Sequence, residues 1–223
     1  MDKQNFETFV DFGTSKIRLG VFDKTFVKKN LFLEKNCFSD FKSKNFNIDE
    51  SEKAIEQLTL EAEKELGFHL KNINLMIDAP DLFSIDVSIS KNLEGKNVDF
   101  EDLKYLLREA KLLIQNNYSD KKIIHIIVGK IIFDDKVFFS YPEKKINCKK
   151  LILEIKFICF SNIIYNEINE KFKKNHLLIN KIYCSSYVKS FEYNRFFEKY
   201  DKKFFLDIGH KKTCLTIFDK KKL

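Results

Sequence analysis

The chain has 223 residues with 44% hydrophobic content, 24 Phe, 6 Gly and 2 Pro. That is enough apolar material for a core and too little Gly and Pro for a collagenous, Pro-rich or Gly-linker protein. Its net charge of +7 comes from 40 basic residues, of which only Arg18, Arg108 and Arg195 are arginine. Base and phosphate readers lean on arginine's bidentate fork, so the charge argues against nucleic acid as a partner.

The first residues, MDKQNFETFVDFG, hold early acids and no apolar signal region, so a cytoplasmic location is expected. The longest apolar stretch, Ile123 to Phe133, is interrupted by His125 and Lys130, short of the ~18 uncharged residues of a membrane span. The five cysteines form no CxxC pair. Buried reduced thiols are therefore expected rather than a disulfide framework or a zinc site.

In chain order, residues 9 to 24 read as strand, Asp-x-Gly turn and second strand, a hairpin. A strand over Thr25 to Leu33 is followed by a helix over Asp49 to Leu66, with Ile55, Leu58, Ala62 and Leu66 on one face. Asp49 with Glu52 forms a capping box, and Gly67 is a left-handed stop. Strands follow over Ile73 to Ile77 and Leu82 to Ile89, then a helix over Phe100 to Asn116. Its stripe is Leu103, Leu106, Leu107, Ala110, Leu113 and Ile114.

Three β-rich runs come next: Ile123 to Val128, then Lys130 to Phe133 turning at Asp134 and Asp135 into Lys136 to Phe139, then Leu151 to Phe160. A helix over Asn162 to Lys174, a strand over Ile179 to Tyr183 and a helix over Ser185 to Tyr200 lead to a second hairpin at 205 to 220. The pattern is mixed α/β, with 82 to 160 as a compact α+β insertion.

The second hairpin repeats the first. FVDFGTSKIRLGVFDK at 9 to 24 aligns without a gap to FLDIGHKKTCLTIFDK at 205 to 220, with eight identities in sixteen. Asp11 and Asp207, Gly13 and Gly209, and Lys16 and Lys212 are among them. A spacing of 196 residues excludes a solenoid and indicates a duplicated-domain architecture. Such a turn exposes backbone N–H groups beside a carboxylate, so it can cradle phosphate while the Asp holds hydrated Mg²⁺. Two of them facing each other would grip one nucleotide from both sides.

DFGTSK at 11 to 16 resembles the first phosphate loop of FtsA, the bacterial cell-division member of the actin, Hsp70 and sugar-kinase superfamily, and FLDIG at 205 to 209 resembles the start of its second. The resemblance implies an actin-like (ribonuclease H-like) ATPase fold. Subdomain 1A would comprise 1–82 and 162–201, a 1C-type (SHS2-like) insertion 83–161, and the start of subdomain 2A 202–223. It implies ATP with Mg²⁺ as cofactors, the metal held through water by Asp11. Gly13, Thr14, Ser15, Lys16, Asp207 and Gly209 would bind phosphate. It further implies self-association into filaments, FtsZ and later divisome proteins as partners, and peripheral attachment to the cytoplasmic membrane at the division site through a C-terminal helix.

Two departures stand out. The family's DIGGGTTD is DIGHKKTC at 207 to 214, so His210, Lys211 and Lys212 stand where Gly, Gly and Thr are usual, and Cys214 replaces the second Asp. Phosphate binding by the lysines is compatible with this. Hydrolysis is not supported, and at most a weak ATPase is expected. The chain also stops soon after its second hairpin, which is expected of a fragment and leaves an apolar strand face uncovered. Two alternatives stay open: a sugar or acetate kinase of the same superfamily, although no DGxD signature occurs between 78 and 200, and a nucleotide-free PilM-like scaffold. His125 reads as a core histidine, and Asp78, Asp81 and Asp86 as turn residues.

Overall fold

A computed structural model describes residues 6–24, 29–37, 48–79, 81–142, 146–197, 199–210 and 212–219, without the side chains of 29 and 48–50. The strand start expected at Thr25, the Asp49 half of the capping box, Pro80, Lys211 and the Lys220 to Leu223 end lie outside the described residues. The chain forms two compact units, residues 1–80 with 163–218 and residues 81–162 with 219–223.

The first unit begins with β1 (Phe6–Phe12), β2 (Lys16–Asp23), β3 (Lys29–Asn36), α1 (Ile48–Leu66) and β4 (Asn72–Ile77). After the second unit, which holds β5 (Phe83–Asn92), α2 (Phe100–Asn117), β6 (Lys121–Phe133), β7 (Lys136–Phe138) and β8 (Lys150–Ser161), it resumes with α3 (Asn162–Lys174), β9 (Leu178–Cys184), α4 (Ser185–Phe196), β10 (Lys202–Ile208) and β11 (Thr213–Asp219). Among the described residues no helix is long and apolar enough to cross a membrane.

In the first unit the sheet order is β3-β2-β1-β4-β9. The first three strands form an antiparallel meander, and β4 and β9 add in parallel. Cross-strand pairs Val10 with Leu19 and Phe12 with Ile17 put the buried side chains on one face. There α1 contributes Ala54, Ile55, Leu58 and Ala62, and α3 contributes Ile168 and Phe172, the last meeting the Phe12 ring at 6.2 Å. The Glu52 carboxylate accepts from Lys171 and, at 3.2 Å, from Lys174, which ties α1 to α3.

The opposite face carries Phe9, Phe22, Phe32 and Met76 along an apolar groove of about 770 Å³. Gly67 stops α1 as expected, at φ +73°, its N–H donating to the Glu63 carbonyl. β10 and β11 make a separate two-stranded sheet. One face packs Phe205 and Phe218 with Tyr193 of α4, and the other exposes Phe204, Leu206, Ile208, Leu215 and Ile217.

The second unit is an antiparallel sheet, β5-β8-β6-β7, with α2 on its apolar face. Leu103, Leu106, Ala110 and Ile114 are buried against Leu151, Leu153, Ile155 and Phe157. Leu113, expected in that stripe, is 50% exposed, because its position turns it away from the sheet. Helix α2 opens with a capping box made of two aspartates. Asp99 accepts from the Asp102 N–H at 2.9 Å and Asp102 accepts from the Asp99 N–H at 3.2 Å.

The two runs expected on either side of Gly129 are one strand, β6. Its register against β8 shifts between Val128 and Lys130, and a Cβ at Gly129 would lie 3.3 Å from the Glu154 carbonyl oxygen. A bulge at this glycine breaks the period that the sequence shows.

Burial pulls the His125 pKa from 6.5 down to about 4. The folded state therefore binds fewer protons than the unfolded chain between those values, and stability falls as pH drops through that window. His125→Gln removes this loss. Urea unfolding from pH 7 to pH 4 should show the variant gaining on the parent chain steadily toward acid, and a constant difference would contradict the assignment.

Candidate functional site

The two repeated hairpins turn identically. The Gly13 N–H donates to the Lys16 carbonyl at 3.0 Å, and the Gly209 N–H donates to the Lys212 carbonyl at 2.9 Å. A Cβ on Gly13 would stand 2.7 Å from the Lys16 oxygen, and one on Gly209 would stand 2.8 Å from the Lys212 oxygen. Both contacts are inside van der Waals distance, so the turn geometry itself demands glycine at each position. The Cys37 N–H donates to the Ser15 carbonyl at 2.7 Å and anchors the first turn to the end of β3.

Both turns line one cleft of about 240 Å³ within the first unit. Asp11, Gly13, Thr14, Ser15, Lys16, Asp207 and Gly209 all lie on its wall. The fold also brings in Lys212, the repeat partner of Lys16, and adds residues for which the sequence shows no place in the site: Arg18, Asp78, Ser185 and Lys189. Arg18 was legible, because the hairpin register centred on the turn sets it opposite Asp11. Ser185 and Lys189 reach the cleft through the placement of α4, for which no local signal exists.

The acids of the cleft are engaged by the chain itself. Asp11 accepts from Arg18 Nη1 at 3.1 Å through Oδ2 and from the Ser185 hydroxyl at 3.0 Å through Oδ1. Asp207 Oδ2 accepts from Lys189 Nζ at 3.3 Å. Asp78 is a helix cap supplied from another element. It accepts from the Ser186 N–H at 2.8 Å, the Ser186 hydroxyl at 2.9 Å and the Cys184 thiol at 3.4 Å. Burial raises the Asp78 pKa against the opposing pull of these donors and of Lys212. Burial and the adjacent Asp78 charge push the Cys184 thiol up to about 11, which makes it a poor nucleophile.

The cations are held as well. Lys16 donates to Glu34 at 2.8 Å and Lys212 donates to the Ala79 carbonyl at 2.7 Å. A hydrated Mg²⁺ wants a carboxylate whose oxygens can accept from its waters, and each Asp11 oxygen already accepts one hydrogen bond, Oδ2 from Arg18 and Oδ1 from Ser185. Among the described residues no three His, Cys, Asp or Glu side chains gather as metal ligands. The buried side-chain oxygens without a partner belong to Asn74, Asp81 and Asn194, none of which lines the cleft. A resident Mg²⁺ would share Asp11 with the Arg18 guanidinium and Asp207 with the Lys189 ammonium.

Of the other acids flagged in the sequence, Asp81 accepts from the Ser161 N–H and Asp86 pairs with Lys156. Four of the five cysteines, Cys37, Cys148, Cys159 and Cys184, are buried, and no disulfide joins any of them. Gly13→Ala should lower stability by about 1 kcal/mol or more, since the turn must open to admit the methyl group. Urea unfolding checks this, and an unchanged midpoint would contradict the steric assignment.

No protein-family model matches the chain, and no curated protein matches it in sequence. Solved structures do match in fold. A chain of a PilM–PilN type IV pilus biogenesis complex superposes at a TM-score of 0.61 and 8% identity, over 97% of this chain and 59% of that one. A Bacteroides thetaiotaomicron protein described as having an actin-like ATPase fold and unknown function matches at 0.48 and 13%, over 100% of this chain and 70% of that one. The ethanolamine utilization protein EutJ from Carboxydothermus hydrogenoformans matches at 0.45 and 13%, over 97% and 48%. The chain thus spans about three-fifths of the length of the pilus-complex chain. Its fold is actin-like: a mixed α/β sheet with an α+β segment between its fourth and fifth strands.

Proposed function

We propose that the protein is an actin-like adaptor that holds the phosphates of ATP between its two glycine turns and uses the nucleotide to set its conformation. The observation that carries this reading is the pair of equivalent turns, closed by equivalent hydrogen bonds and lining one cleft. A ligand held by both turns favours whichever arrangement brings them together, which is a population shift by differential affinity. Lys16 and Lys212 line the cleft at equivalent turn positions and supply phosphate-binding charge.

Phosphoryl transfer is a poorer fit. A kinase of this superfamily needs a carboxylate that accepts a proton from the substrate hydroxyl. Asp11, Asp78 and Asp207 each already accept from a side chain of this protein. No DGxD signature occurs between 78 and 200, and this supports an adaptor over a sugar or acetate kinase.

The adaptor reading in its finer form is a division protein of the FtsA type, binding FtsZ filaments and later division proteins at the cytoplasmic face of the membrane. Residues 11 to 16 carry that resemblance. Residues 83–161 would then be the 1C-type module, the surface for protomer and partner contacts. The superposition on the PilM–PilN complex favours a second reading, a PilM-like scaffold that works through protein contacts alone.

Titration of the chain with ATP, paired with an ADP-release assay in the presence of sugars or acetate, separates these readings. The adaptor is expected to bind ATP and to release no ADP in response to sugar or acetate. Absence of ATP binding would leave the scaffold, and substrate-dependent ADP release would establish the kinase. Co-sedimentation with FtsZ filaments tests the finer form, and its absence in a chain that binds ATP would remove FtsZ as the partner.

A further inference from the structure

Both acids repeated in the two hairpins face a cation from the chain, and the two cations have different origins. Arg18 is the cross-strand neighbour of Asp11 within the first hairpin. The equivalent position of the second hairpin is Cys214, which has no charge to offer Asp207. There the cation is Lys189, one helical turn beyond Ser185 on α4. Two different elements therefore place a positive charge against the same carboxylate of each repeat unit. Each pair lines the cleft beside a turn glycine.

A divalent ion in a nucleotide site does two things: it neutralises the phosphate oxygens, and it is itself anchored by protein carboxylates. Arg18 and Lys189 reproduce both relations with fixed groups. Each is anchored by a carboxylate, Arg18 also reaching Glu34 at 3.4 Å through Nε, and each keeps further N–H donors for a second anion. A guanidinium has five donors and an ammonium three, so one edge can hold Asp11 or Asp207 while another meets phosphate. A bound cation would instead have to compete with a tethered one at each acid, and it would face Lys16 and Lys212 along the same wall.

Resting on the nucleotide reading above, we propose that this cleft binds ATP without a divalent metal, with Arg18 and Lys189 in the metal's place. The ligand class is a metal-free nucleoside polyphosphate.

Isothermal titration of the chain with ATP, once in excess Mg²⁺ and once in excess EDTA, tests this directly. The expected result is a dissociation constant that changes by less than about threefold between the two buffers. Binding that weakens by about tenfold or more in EDTA overturns the proposal and leaves the nucleotide reading standing. Absence of binding in both buffers overturns the two together.

The Arg18→Gln, Lys189→Gln double variant, checked for folding by circular dichroism, probes the roles assigned to the two side chains. Its affinity in EDTA should fall by about tenfold or more, and Mg²⁺ should recover part of that loss because Asp11 and Asp207 are released. A folded double variant that binds ATP in EDTA as tightly as the parent overturns the assignment.

Discussion

Strand β1 is hydrogen-bonded along both edges, antiparallel to β2 and parallel to β4, and the site depends on this central position. A strand paired on both sides cannot shift register without breaking two ladders, and a one-residue slip would carry its buried side chains to the other face. Val10 and Phe12 are thereby held in the core while Asp11 is held on the opposite face, opposite Arg18. The chain leaves β1 into the glycine turn, so the rigidity of the sheet passes to the cleft wall.

The second hairpin has no such sheet around it. It forms a two-stranded sheet of its own, packed through Phe205 and Phe218 against the aromatic side of α4. Helix α4 is in turn set by its N-terminus, where Asp78 caps Ser186 and Ser185 donates to Asp11. Asp78 tolerates its burial because three donors converge on it, although the same burial raises its pKa. Removing those donors would expose the cost of desolvating its charge and loosen the element that carries Lys189. The Lys189–Asp207 pair of the cleft is thus a consequence of how β4, β9 and α4 meet, whereas the first hairpin alone sets Asp11 against Arg18.

The second unit illustrates a different economy. Its sheet is antiparallel and needs only one covered face, so α2, with Leu93, Val98 and Cys148 from the connecting loops, completes the core around Phe157 and Leu151. Gly129 lets β6 bend across β8 where the two backbones approach closely. Asp134, at φ +52°, turns β6 into β7 and accepts from the Lys149 and Lys150 N–H groups, so one side chain stitches the hairpin to β8.

The sequence by itself determined the elements and the repeat. Apolar spacing located α1 and α2, because one-sided burial imposes a 3.6-residue period that survives without tertiary detail. The matched Asp-x-Gly turns were equally legible, since a two-residue closure on a carbonyl admits glycine alone. Even the Asp11–Arg18 pair could have been read from the hairpin register. What only tertiary structure decided is everything contributed across distance. The joining of the two turns in one cleft, the Lys189–Asp207 pair, the capping of α4 by Asp78 and the merging of two short runs into β6 all depend on packing between segments far apart in the chain. Local composition records which face of an element is buried, and not which element covers it.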